Sequence, residues 1–140
     1  MIESETLARL VETGLPFHAH LGIKAVEFGE GTATLMIPFK PELIGDPRRP
    51  ALHGGVISTL VDVTGGFALW TRCGLDDRIA TIDIAVDYLR PAPAADLYAR
   101  GSVRLLGNRV GNVHVVVWTA GAPDEHLAEG RAVYNIRRGK

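Results

Sequence analysis

The sequence predicts an α+β domain in which one antiparallel β-sheet wraps around a single long central α-helix. Three observations predict it. Gly54 to Thr71 is almost free of charge, and its apolar residues surround a helical axis rather than forming one stripe, so this helix needs enclosure on most sides. From Ile79 onward the apolar pattern switches to period two. Gly107-Asn108 and Gly121-Ala122-Pro123 then supply turns between further strand-like runs. At 140 residues, 46% hydrophobic and 22% charged, the chain suits one core of this kind. Residues 1–140 are expected to form one domain, with an N-terminal helix within 1–16 and the central helix at 53–72.

Leu7, Leu10 and Val11 at helical spacing predict an amphipathic helix over 3–13, ended by Pro16. Leu21 to Phe28 and Thr32 to Ile37 read as two strands around the Gly29-Glu30-Gly31 turn. Pro38 to Pro50 holds four prolines, which lack an amide donor, and reads as a loop. After the central helix, Ala80, Ile82, Ile84 and Val86 form the apolar face of a strand, with Thr81, Asp83 and Asp87 on the other. Leu97–Leu106, Val110–Ala120 and Leu127–Arg137 complete the sheet. Such a sheet leaves edges and an outer face that a second copy of the chain can cover, so an oligomer is expected.

Fifteen Lys+Arg against sixteen Asp+Glu leave a formal charge of −1, which argues against a nucleic-acid binder working by bulk positive charge. The single cysteine, Cys73, excludes an intramolecular disulfide and a multi-cysteine zinc site. Met1 to Leu15 carries Glu3, Glu5 and Glu12 without a long apolar stretch, so no signal peptide and a cytoplasmic location are expected. The charge-poor helix falls short of the roughly 20 apolar residues of a membrane span. No Gly-x-Ser-x-Gly elbow, Walker phosphate loop or His-Glu-x-x-His motif is present. His18-x-His20 has no carboxylate or thiol companions and reads as a connector from helix to strand, so no metal is expected.

Chemistry concentrates in His53-Gly54-Gly55-Val56-Ile57-Ser58-Thr59-Leu60-Val61-Asp62. His-Gly-Gly stands where a loop turns into a helix. Glycines admit close backbone approach, and a helix N-terminus presents unpaired N–H groups and a positive dipole end, which suits a developing oxyanion. Asp62 is the one charge in an apolar helix, where an unpaired carboxylate is costly. It suits either catalysis or a structural role, paired with an arginine or accepting hydrogen bonds from Thr59, Thr64 or a neighbouring subunit. Nine residues at about 100° and 1.5 Å each place Asp62 opposite His53 and roughly 13 Å along the axis. One substrate is reached more easily by His53 of one subunit and Asp62 of another.

The segment Leu52 to Asp62, with an acid nine positions after the His, resembles the hotdog-fold acyl-CoA thioesterases, in the phenylacetate-degradation (PaaI-like) branch. The element order resembles that fold from about residue 15 to 138. The resemblance implies a sheet wrapped around a central helix, sites at dimer interfaces, a homodimer that pairs into a tetramer, an acyl-CoA substrate and no cofactor. It implies that Asp62 activates water or attacks the thioester, and that Gly54 and Gly55 offer amides to the thioester oxygen. His53 would orient that turn, and Thr81 matches a position where relatives use Ser or Thr to place the water. Relatives carry Asn or Gln six or seven residues before the His. Here Asp46 sits seven before it, and an ionised carboxylate donates no hydrogen bond. Either Asp46 orients another group, or Arg48 replaces the amide, or activity is altered.

Coenzyme A carries phosphates, for which Arg48, Arg90, Asn108 and Arg109 are candidates. Gly65 and Gly66 are expected to leave space for an acyl or aryl group bounded by Phe67 or Trp70. Two other functions share these residues: a non-catalytic acyl-CoA-binding or regulatory protein, and a hotdog dehydratase, against which the sequence Pro50 to Gly55 argues.

Overall fold

In the computed structural model, which describes residues 2–139, the chain opens with helix α1 (Ser4–Arg9), continued by a π-helical turn (Leu10–Gly14). Leu7 and Val11 are buried, in line with their spacing. The first helical segment stops before Pro16 as expected, with Leu15 extended (φ −124°, ψ 122°), but Pro16 has a second role. It starts a second helix, α2 (Pro16–Leu21), because the first helical turn has no intrahelical amide bond to lose. His18 and His20 therefore lie on a helix rather than in a connector. Gly22, at φ 78°, closes α2, so the first strand begins at Lys24 and not at Leu21.

Strands β1 (Lys24–Gly29) and β2 (Thr32–Ile37) pair antiparallel. The Pro-rich segment is more ordered than a loop. It forms a 3-10 turn (Pro41–Leu43) and a two-stranded ribbon of β3 (Ile44–Asp46) and β4 (Ala51–Leu52). Pro47 and Pro50 fall in the turn between these strands, where no ladder amide is needed. Helix α3 (Gly54–Trp70) follows, then β5 (Arg78–Tyr88), β6 (Leu97–Leu106), β7 (Val110–Thr119) and β8 (Ala128–Arg137). The main sheet has the order β1-β2-β6-β7-β8-β5, with each neighbouring pair antiparallel.

Helix α3 lies across one face of this sheet and packs on β2, β5, β6, β7 and β8. Ile57, Leu60, Val61, Phe67, Ala68 and Leu69 are buried there against Leu35, Leu97, Val113, Val115 and Val117. Each aliphatic side chain fully removed from water contributes about 1.5–3 kcal/mol. No described helix is long and apolar enough to cross a membrane.

The face of β5 differs from the expected alternation. Its register to β8 pairs Ile79 with Ile136, Thr81 with Tyr134, Ile84 with Ala132 and Val86 with Gly130, with an irregularity between Thr81 and Asp83. A β-bulge at Ile82 shifts the phase by one residue. Thr81 therefore shares the helix-facing side with Ile79, Ile84 and Val86, while Ile82 is 58% exposed on an edge strand.

Gly65 also departs from expectation. It is buried, and a Cβ built on it would collide with the Tyr134 hydroxyl. The room beside it belongs to Tyr134, not to a ligand. At Gly66 a Cβ would make ordinary contact with the same ring at 3.6 Å. Gly65→Leu is accordingly expected to lower unfolding free energy by about 1–3 kcal/mol through overpacking, whereas Gly66→Ala stays near wild type. Urea titrations of the two variants check this contrast.

Candidate active site

The start of α3 is built by its own cap. His53 has extended backbone (φ −64°, ψ 135°), and its Nδ1 accepts the Gly55 N–H at 2.8 Å. That bond uses the amide of Gly55, so of the glycine pair only Gly54 keeps an N–H without a partner among the described residues. An imidazole accepting at Nδ1 carries its proton on Nε2 when neutral. The exposed His53 ring thus adds a second outward donor beside the Gly54 amide. Gly45 of β3 packs against this cap: a Cβ there would lie 2.7 Å from the His53 Cα. Tyr88, at the end of β5, donates its hydroxyl to the Gly54 carbonyl at 3.1 Å.

Asp46, Arg49, His53, Gly54, Tyr88 and Arg90 line one cleft of about 560 Å³. Asp46 accepts from the backbone and side chain of Arg48 at 3.0 and 3.2 Å and pairs with Arg49 at 3.5 Å. The hydrogen bonds from Arg48 hold its carboxyl below the ordinary range. Asp46 is therefore an anionic acceptor that shapes the β3–β4 turn, and Arg48 is its partner with a largely exposed side chain. Arg90 faces the same cleft and pairs with Glu125 at 3.6 Å.

Asp62 lies two turns further along α3, half-buried. The Thr81 hydroxyl donates to its Oδ1 at 2.7 Å, while Oδ2 has no partner among the described residues. Helix and sheet are pinned at this point by the Tyr134 hydroxyl, which donates to the Asp62 carbonyl at 2.7 Å. Burial, reinforced by the nearby Asp62 charge, pushes the Tyr134 pKa far up, so the phenol keeps its proton. Asp62 opens on two clefts. One, of about 600 Å³, is walled by Leu15, Val63, Phe67, Trp70 and Leu75, reaches Gly66, and is bordered by the charged Asp76, Asp77 and Arg78. The other is walled by Leu15, Phe17, Val63 and Ile84.

Two clusters thus form within one chain. Asp46, Arg48, His53, Gly54, Gly55 and Arg90 gather at the N-terminal end of α3; Asp62, Thr81 and Gly66 meet midway along it. Asn108 and Arg109 join neither. They turn between β6 and β7 at the opposite end, where the carbonyl of Asn108 accepts from Arg138 and that of Arg109 from the Ile136 amide. Sequence reasoning missed Tyr88, Tyr134, Arg49, Gly45 and the placement of His18. An aromatic ending a strand and an arginine four residues before the helix cap were the available signals for Tyr88 and Arg49.

A family model described as the thioesterase superfamily matches residues 50–124. A protein of Halobacterium salinarum named as a putative esterase is 32% identical, covering 97% of this chain and 96% of its own. A medium/long-chain acyl-CoA thioesterase of Escherichia coli is 32% identical over 69% of this chain and 70% of its own. The solved structure of a thioesterase-superfamily protein superposes with a TM-score of 0.87 at 37% identity, covering 95% of this chain and 97% of that one.

His18, also on the Asp62 clefts, yields a stability test. Burial lowers its pKa, against the opposing hydrogen bond to Val11. The folded chain therefore binds fewer protons at His18 than the unfolded chain. Its contribution is complete above the ordinary histidine pKa and is lost as pH falls through the depressed folded value. Wild type is expected to lose stability relative to His18→Phe as pH falls from about 7.5 to about 5.5. Urea midpoints across that range measure it, and a constant difference would contradict the assignment.

Proposed function

The chain belongs to the thioesterase superfamily and has the hotdog fold, and from that premise we propose that it hydrolyses an acyl- or aryl-CoA thioester to the free acid and coenzyme A, in the manner of the PaaI-like branch. It is a thioester hydrolase by family. The relatives named as acyl-CoA thioesterases favour coenzyme A as the thiol. One observation carries the reading: Asp62 has one oxygen anchored by Thr81 and the other without a partner among the described residues, at the junction of two clefts that each offer apolar wall.

In this mechanism the free Oδ2 of Asp62 takes a proton from water as the water attacks the thioester carbon, or attacks that carbon itself. The carbonyl oxygen becomes an oxyanion, stabilised by the Gly54 amide and the His53 Nε2–H. Collapse of the tetrahedral species breaks the C–S bond and expels the coenzyme A thiolate. On the first route the thiolate takes up the proton held by Asp62. On the second an acyl–Asp62 anhydride remains, which water hydrolyses to the free acid and the regenerated carboxylate. The acyl group lies along Val63, Gly66, Phe67 and Trp70. Arg49 and Arg90, with Arg48 at the turn, attract the phosphates, and Asn108 and Arg109 serve this purpose only from a neighbouring subunit. Asp46 accepts where relatives donate, and the His53 Nε2–H supplies the missing donor.

His53 and Asp62 of one chain open on different clefts, so the working unit is a homodimer in which the cap of one subunit faces Asp62 of the other; two dimers stack into a tetramer. The exposed edge strand β5, with Ile82 at its bulge, is the surface that joins two chains. Ile82→Glu is expected to convert dimers to monomers in sedimentation experiments and to abolish hydrolysis. Retained activity in the monomer would overturn the shared site.

The direct test follows thiol release from a panel of acetyl-, medium-chain, long-chain, phenylacetyl- and hydroxybenzoyl-CoA. Asp62→Asn is expected to keep the fold by circular dichroism and to lose at least ~100-fold in turnover, the lower bound for a general base. Tight binding of the panel without thiol release would favour a non-catalytic acyl-CoA binder instead.

A further inference from the structure

His18 is a buried titratable group that the mechanism above does not use. Its Nδ1 lies 3.1 Å from the Val11 carbonyl. A carbonyl only accepts, so Nδ1 holds the proton and the neutral ring presents Nε2 as a lone-pair acceptor. Burial favours the neutral form. The ring packs on Phe67 with centroids 6.0 Å apart and planes at 57°, which restrains it from turning. Val11 itself sits in the π-helical turn, an irregularity that recurs at functional sites.

Nε2 makes no hydrogen bond among the described residues, yet it is not one of the polar atoms sealed from solvent. His18 lines both clefts on which Asp62 opens. The residues shared by both clefts are Leu15, His18, Asp62 and Val63. His18 therefore borders the space next to Asp62, whereas Trp70 and Leu75 are reached through the larger cleft alone. A plain alkyl group passing His18 would strip water from Nε2 and return nothing. A hydroxyl at that point would restore the bond.

We propose that His18 is a specificity-determining residue whose Nε2 accepts a hydrogen bond from a hydroxyl on the acyl group, close to the thioester carbonyl, so that the enzyme favours 3-hydroxyacyl over unsubstituted acyl thioesters. This rests on the hydrolase reading above and adds the substrate class of the same site.

The experiment compares kcat/KM for 3-hydroxyacyl-, 3-fluoroacyl- and unsubstituted acyl-CoA of equal chain length. Fluorine is close to hydroxyl in size but donates no hydrogen bond. Wild type is expected to favour the hydroxyl over both others by about fivefold to tenfold, the range of one neutral hydrogen bond. His18→Phe is expected to bring the ratio close to one. Ratios are taken on a single preparation, so a reduced folded fraction in the variant does not affect them. The hydroxyl-to-fluorine ratio in wild type needs no variant at all. Equal rates for the three substrates in wild type, or an unchanged ratio in His18→Phe, would overturn the role of His18 while leaving the hydrolase intact. No thiol release from any of them would overturn the hydrolase reading itself, and this inference with it.

Discussion

Helix α3 buries Ile57, Leu60, Val61, Thr64, Phe67, Ala68 and Leu69 against the sheet and leaves Gly55, Ser58, Thr59, Asp62 and Gly66 at least partly accessible. The rest of the molecule follows from covering the first set. Five of the six strands in the main sheet touch it, and β8 is fixed to it by the Tyr134 hydroxyl on the Asp62 carbonyl. That bond requires Gly65, since any side chain there would occupy the phenol's place. The same contact holds the segment carrying the Asp62 carboxylate at a defined height above the sheet. A core contact and a site contact are thus made by neighbouring atoms of one residue.

Enclosure also separates the chemical groups. The Gly54 amide and the Asp62 carboxylate are eight residues apart, about 12 Å along the axis, and β3, β4 and the end of β5 surround the first while β5, β8 and α2 surround the second. Each half lacks what the other holds: donors for an oxyanion without a free carboxylate, and a free carboxylate without those donors. A bulged apolar edge strand passes beside both. The proposed two-subunit site reunites them, and the β3–β4 ribbon with its arginines adds positive charge at the mouth.

Much of this was legible in the sequence because it depends on composition and spacing. The charge-free run marked α3, the His-Gly-Gly cap appears one residue from its expected start, and β6 matches its expected bounds. Other features depend on events that composition does not record. The bulge at Ile82 reverses the apparent face of β5 only on its N-terminal side, so Thr81, which the alternation places among outward polar residues, donates to Asp62, while Ile84 and Val86 keep their expected face. Pro16 follows the end of one helix and starts another, and the second helix is held by the burial of His18, which the local sequence does not record. The partnership of Gly65 with Tyr134 joins residues 69 positions apart and has no local signature.

The central claim is that one substrate is served by the helix cap of one subunit and Asp62 of another, and mixing two inactive variants tests it most directly. Gly54→Pro deletes the amide donor at the first helical position, where proline is tolerated. The extended His53 backbone suits a following proline, and the new Cβ meets Tyr88 at an ordinary 3.5 Å. Asp62→Asn deletes the carboxylate. Each variant alone is inactive. Unfolded and refolded together in equal amounts, they form mixed dimers in which one site is intact and the other doubly defective. The account predicts recovery of about a quarter of wild-type turnover, since half the dimers are mixed and each has one working site. No recovery, with mixed dimers verified by mass spectrometry, would contradict it.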